Sequence, residues 1–304
     1  MIQLSVARIA SCVLALLIGV SSFTVHAQDG GRVLESRDFK SQVLGKSVRY
    51  SVYLPAGYES SPTRHYPTVY LLHGMPFDPV DSETDWIQQG SADRLVGEAI
   101  ASGRLPPMIL VMPDAGTTWY SNSADGKVRY EDMLIEEFIP FVDRTFRTRP
   151  QRLFRSAVGL SMGGYGAMML AMRHPTLFSG AAALSPGIRT EQEIIATDDA
   201  SWQRYFGPIY GANLQGEARL NDVWRAHSPL ALAKTLPVEQ LNRQRWWIDM
   251  GDDDFLSQGG DAMHTVLKQR GINHEYRVRD GGHTWLYWRT GLVDALEFVA
   301  GAYW

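Results

Sequence analysis

The sequence predicts a three-layer α/β sandwich, a mostly parallel central sheet covered by helices on both faces, and three observations predict it. Strand-like apolar runs alternate with helical patterns along most of the chain. Two of those runs, Thr68 to Leu72 and Met108 to Met112, are continuously apolar, as strands buried on both faces must be. No internal repeat, low-complexity tract or Pro/Gly/Ser linker divides the chain, and 304 residues suit one large domain better than two.

The elements follow in order. Residues 1–27 read as a removable export signal: Arg8 is the positive start, Ile9 to Val20 the apolar stretch, and Val25-His26-Ala27 the small-residue cleavage site. The stretch is shorter than the ~18 to 20 residues of a spanning helix, so no stable membrane anchor is expected. The mature domain, 28–304, is then periplasmic or secreted. Strands are predicted at Val48 to Leu54, Thr68 to Leu72, Met108 to Met112, Leu153 to Leu160, Gly180 to Leu184, Arg245 to Met250 and Glu275 to Val278. Helices are predicted at Ala92 to Ala101, Met162 to Arg173, Gly260 to Gln269 and Trp285 to Ala302. A further helix, Tyr130 to Phe146, carries Leu134, Phe138 and Val142 on one face and a kink at Pro140. Between 186 and 245 no strand is legible, and the segment reads as an insertion whose aromatics, Trp202, Tyr205, Phe206, Tyr210 and Trp224, mostly pack it onto the body.

Composition excludes several functions. Lys plus Arg number 29 against 33 Asp plus Glu, a net charge of −4 with no basic run, so nucleic acid is not an expected partner. The single cysteine, Cys12, lies in the signal, which leaves the mature chain without a disulfide, a thiolate nucleophile or a cysteine metal site. No His-x-x-x-His spacing occurs among the eight histidines, and neither a metal nor a cofactor is expected.

The chemistry centres on Gly159-Leu160-Ser161-Met162-Gly163, a G-x-S-x-G pattern between a predicted strand and a predicted helix. Such a turn is strained and tolerates only small neighbours, and it lifts a serine hydroxyl above the C-terminal edge of a sheet, which makes Ser161 the candidate nucleophile. An acid and then a histidine should follow along the chain. Asp252, Asp253 and Asp254 form a loop after the strand Arg245 to Met250, and spacing alone leaves the choice among them open. Of the histidines beyond that loop, His264 falls in a helical run and His274 opens a strand, whereas His283 occupies a Gly281-Gly282-His283 loop that can reach Ser161. A tetrahedral oxyanion needs two backbone N–H donors: Met162 follows the nucleophile, and Met75 follows the strand that opens into His73-Gly74.

These residues resemble the esterase D or putative esterase family of α/β hydrolases, which includes feruloyl esterases, S-formylglutathione hydrolases, tributyrin-type esterases and the antigen 85 mycolyltransferases. The matching segments are Leu71-Leu72-His73-Gly74 with Asp85-Trp86, Met112 to Gly116, Tyr130 to Pro140, Gly159 to Gly166, Gly251 to Asp254, and Gly281 to His283 with Trp288. The resemblance implies an α/β-hydrolase fold, and its Gly-x-x-Asp pattern selects Asp254 as the acid, with Asp253 in reserve. It likewise maps the oxyanion donors to Met75 and Met162. The chain departs from the family in carrying Pro76 and Pro79 where relatives often have Gly and Ser, and its export signal does not suit a cytosolic formylglutathione hydrolase.

The leading reading is an exported serine carboxylesterase acting through an acyl-enzyme on short-chain, feruloyl or glycan esters. An acyltransferase of the antigen 85 type, in which an alcohol intercepts the acyl-enzyme, is the nearest alternative, and a catalytically silent glycan-binding module is another. Trp119 and Tyr120, past the strand Met108 to Met112, and Trp285, two residues past His283, are expected at the same sheet edge as Ser161 as substrate-binding aromatics, with Trp202 contributing from the insertion.

Overall fold

The computed structural model describes residues 31–76 and 82–303, so the predicted export signal lies outside the described residues. Eight strands form one sheet: β1 (Arg32–Ser41), β2 (Lys46–Leu54), β3 (Thr68–Leu72), β4 (Ile109–Pro113), β5 (Arg155–Leu160), β6 (Gly180–Leu184), β7 (Arg245–Gly251) and β8 (Glu275–Arg279). Their order is β1-β2-β4-β3-β5-β6-β7-β8, with β1/β2 and β2/β4 antiparallel and every other pair parallel. This is the α/β-hydrolase three-layer architecture.

Strand β3 shows why its sequence is apolar throughout. Tyr70 and Leu72 point into the core layer that holds the helix Met162–Arg173, while Val69 and Leu71 point into the layer that holds the helices Ala92–Ala101 and Trp285–Ala300. Successive side chains alternate between faces and both faces are covered, so the strand is apolar on both sides and carries no charged residue.

Three departures from the sequence reading have local causes. Strand β1 carries no apolar alternation because it is an edge strand with much of one face in water, held by pairing to β2 from Arg32↔Leu54 to Ser41↔Lys46. The run Leu153 to Leu160 becomes a strand only from Arg155, since 152–154 form a 3-10 turn with Leu153 exposed. The helix expected from Gly260 begins at Ser257: a Cβ on Gly259 would lie 1.9 Å from the Ile188 carbonyl oxygen, so that glycine marks close packing and not a helix end. Residues 130–145 run on as one helix with a π-type turn at Met133–Phe138, ahead of Pro140.

Between β6 and β7, which pair directly, the chain crosses over through short helices such as Glu191–Ala196, Asp222–His227 and Pro229–Thr235. Buried Glu131 fastens this segment to the body, accepting from Arg173 Nε (2.7 Å) and contacting His174 Nε2 (2.7 Å) and His227 Nε2 (2.9 Å). Burial alone would raise the Glu131 carboxyl, but these three partners hold it well below the ordinary carboxylate range.

Candidate active site

The site is built on the C-terminal ends of β3, β5, β7 and β8. β5 ends at Leu160, and Ser161 turns the chain into the helix Met162–Arg173 with φ 52° and ψ −120°. A non-glycine residue at such angles costs roughly 1–3 kcal/mol, which the surrounding packing must hold in place. Ser161 is pinned from both sides: its N–H donates to the Leu184 carbonyl (3.0 Å) and its own carbonyl accepts from Gly187 N–H (2.7 Å). The flanking glycines are steric necessities, since a Cβ on Gly163 would fall 2.2 Å from the Leu72 carbonyl oxygen and one on Gly159 2.3 Å from that of Gly163.

Three side chains meet here. Ser161 Oγ–H donates to His283 Nε2 at 2.9 Å, and His283 Nδ1–H donates to Asp254 at 2.9 Å (Oδ2) and 3.1 Å (Oδ1). Asp254 is buried and also accepts from the Leu256 N–H at 2.9 Å. Burial by itself would raise the Asp254 carboxyl; the hydrogen bonds from His283 and Leu256 outweigh it and hold the group below its ordinary value. The imidazole is clamped between the rings of Phe255 and Trp288, each with its centroid 4.8 Å away. Its loop is fixed from outside, because buried Asp249 on β7 accepts from Arg279 Nε (3.0 Å) on β8 and from Tyr287 OH (2.6 Å) on the last helix.

The other two aspartates of the acid loop do different things. Asp252 Oδ1 accepts from Gly281 N–H at 2.9 Å and ties the acid loop to the histidine loop, and Asp253 is exposed. His264 and His274 lie apart from this group and contact one another, Nδ1 to Nε2, at 2.8 Å.

Met162 and Met75 both border Ser161. Met162 opens the helix, and neither of the two amides donates to a backbone carbonyl among the described residues. Gly74 packs against the nucleophile turn, where a Cβ would fall 3.4 Å from Ser161 Cβ and 2.7 Å from Leu160 Cδ1. Buried His73 braces this loop: its Nδ1–H donates to Gly74 O (2.7 Å) and its Nε2 accepts from Ala115 N–H (2.8 Å). Burial pushes the His73 imidazole below its ordinary value despite nearby Asp114, so it stays neutral in the tautomer these bonds require.

Above Ser161 lies a cavity of about 650 Å³. Its apolar lining includes Trp119, Tyr205, Phe206 and Phe255, and Trp119 stacks on Phe206 at 5.1 Å. Its lining also includes Trp285 with Ser82, Asp85 and Gln89.

The fold recurs in known proteins. The "Putative esterase" family matches residues 41–299. The chain belongs to this family. Among its relatives, an endo-1,4-β-xylanase/feruloyl esterase of Xylanibacter ruminicola is 35% identical over 51% of this chain and 22% of its own length. An esterase of Mycobacterium tuberculosis is 28% identical over 81% of this chain and 54% of its own. The chain thus spans about half or less of these curated relatives. A solved ferulic acid esterase superposes with a TM-score of 0.75 at 26% identity, covering 90% of this chain and 99% of that one.

Within this family fold the substrate-binding expectations divide. Trp119 and Trp285 line the cavity, but Tyr120 does not. Trp119 and Tyr120 both have positive φ, 54° and 59°, and this left-handed turn sends their side chains apart. Tyr120 is fully buried beneath Gly166, where a Cβ would fall 2.4 Å from its ring, and its OH donates to the His73 carbonyl at 3.0 Å. Trp202 is likewise buried, stacked behind Phe206 with Nε1 donating to Gly211 O, and does not line this cavity. Phe255, Arg189, Asp85 and Gln89 line the cavity without having been singled out as binding residues. For Phe255 a signal existed, its place beside the acid; Arg189 lies in a loop and Gln89 at the end of a short helix, where sequence carries none.

Proposed function

We propose that this chain is an exported serine carboxylesterase. The line of hydrogen bonds Asp254–His283–Ser161 carries the reading. Ser161 Oγ attacks the ester carbonyl while His283 Nε2 takes its proton; the same imidazole then gives the proton to the departing alcohol, leaving an acyl-enzyme. Asp254 fixes the tautomer that presents Nε2 to Ser161 and stabilises the imidazolium. The N–H groups of Met75 and Met162 hold the tetrahedral oxyanion, and water attacks the acyl-enzyme with His283 as base. Residues 1–27 act as the export signal and residues 28–304 as the catalytic domain, with the 186–245 segment as an insertion that supplies Tyr205 and Phe206 to the cavity. The aromatic lining, together with relatives named for feruloyl ester cleavage, supports an aromatic acyl group there. The test is turnover of p-nitrophenyl acetate and of a feruloyl ester by the mature chain, with labelling by an organophosphonate. Both turnover and labelling vanish in Ser161→Ala; labelling that persists in that variant refutes the assignment.

A further inference from the structure

Asp85 and Gln89 stand one helical turn apart, at the first residue and the C-cap of the short helix Asp85–Gln88, and both line the Ser161 cavity. Residues so spaced share a helix face, with Cβ atoms about 5–6 Å apart, so a carboxyl and a carboxamide stand side by side. No described residue hydrogen-bonds to the Asp85 side chain; the charges that reach it are those of Glu83, on the preceding turn, and Asp114, past β4. These are like charges, and they push its carboxyl up to about 6, after burial as the larger cause. A half-buried acid held among other acids does nothing for the fold. Trp285 stands at the same corner, half-exposed and in edge-to-face contact with both Trp86 (5.4 Å) and Trp288 (5.3 Å).

A carboxyl, a carboxamide and a flat indole in one corner match a sugar, whose adjacent hydroxyls need an acceptor and a donor and whose ring presents an apolar C–H face. The two ends of an ester are also told apart by charge. The acyl part leaves as a carboxylate, which the ionised Asp85 carboxyl repels, whereas the alcohol is neutral before and after cleavage.

We propose that Asp85 and Gln89 are specificity-determining residues that bind neighbouring hydroxyls of a sugar on the alcohol side of the ester, with Trp285 beside it. The assignment rests on the serine esterase reading above, and it adds which residues select the alcohol.

The test compares the benzoate ester of a methyl pentoside bearing free hydroxyls beside the ester with its O-methylated counterpart and with ethyl benzoate. Because all three use the same Ser161 and His283, the ratio of kcat/KM for free over O-methylated ester cancels the chemistry. A charge-assisted hydrogen bond of this kind is worth a ratio of ~10 to 100 in the wild type. The ratio falls at least about fivefold in Asp85→Ala and declines in Gln89→Ala. It also rises with pH through about 6 in the wild type, as the carboxyl becomes a charged acceptor, and is flat in Asp85→Asn. A wild-type ratio near 1, or one that survives in Asp85→Ala, overturns the proposal while leaving the esterase reading intact. Failure of the wild type to cleave any of the three esters, ethyl benzoate included, overturns the esterase reading and this assignment with it.

Discussion

Replacing Asp85 with Asn should stabilise the protein, and only above a definite pH. The Asp85 carboxyl is pushed up to about 6 by burial and then by Glu83 and Asp114. The folded state therefore holds this proton more tightly than the unfolded chain does. Stability linked to it is fully present below the ordinary Asp value of 3.8 and is lost as pH rises through about 6. At about 1.36 kcal/mol per pKa unit the full displacement amounts to roughly 3 kcal/mol. Asp85 is only half-buried and water screens it, which brings the expectation to about 1–2 kcal/mol. Asn carries no charge and escapes the penalty. Near pH 8, Asp85→Asn should melt about 2–6 °C above the wild type for a domain of this size, and near pH 4 the two should melt together. Calorimetry or urea unfolding of both proteins at these two pH values makes the measurement. An equal gain at both pH values would mean that the amide had found a new hydrogen bond, and a loss near pH 8 would mean that the carboxylate is anchored by the fold; either outcome refutes the account of Asp85 as an acid kept at a cost in stability for the cavity.

Other expectations are as direct. Asp254→Asn should lower kcat by about 10²–10⁴ with the fold retained, because His283 loses the acceptor that sets its tautomer, whereas Asp253→Asn should be mild; steady-state kinetics on p-nitrophenyl acetate distinguishes them, and a damaging Asp253→Asn would move the acid by one residue. Glu131→Gln should destabilise the chain by about 3 kcal/mol at neutral pH, since it leaves Arg173 without its carboxylate; Glu131 is held below its ordinary value, so this contribution is present above that value and lost as acid protonates the folded carboxyl, and denaturant titrations at neutral and acid pH should show the difference shrinking. Trp119→Ala should reduce kcat/KM for a feruloyl ester at least about fivefold more than for p-nitrophenyl acetate, whereas Tyr120→Phe, behind the cavity wall, should leave that selectivity as it was. EDTA should not alter turnover, and activity lost to the chelator and restored by zinc would replace the serine mechanism with a metal one.

Sequence by itself determined whatever depends on local steric demand or on chain-wide periodicity. The continuous apolarity of Thr68 to Leu72 declared a strand covered on both faces, and the small residues around Ser161 declared a turn too tight for any Cβ. His283 stood out because a Gly-rich loop between a strand and a helix is where a reaching side chain belongs. The choice among Asp252, Asp253 and Asp254 was not legible from spacing, because adjacent residues of a loop point in different directions and only the folded loop fixes which one faces the imidazole. Tyr120 and Trp119 show the same limit: two neighbouring aromatics at one sheet edge are alike in sequence, and a left-handed turn buries one and gives the other to the cavity. Strand β1 was invisible because an edge strand owes its existence to hydrogen bonds with β2 and not to its own side chains. Asp85 was legible only as a letter in a matching segment; the nearness of Glu83 and Asp114, which makes it an acid under strain at the cavity wall, comes from β4 and the turn before Asp85 converging in space, and convergence of distant segments is what tertiary structure alone decides.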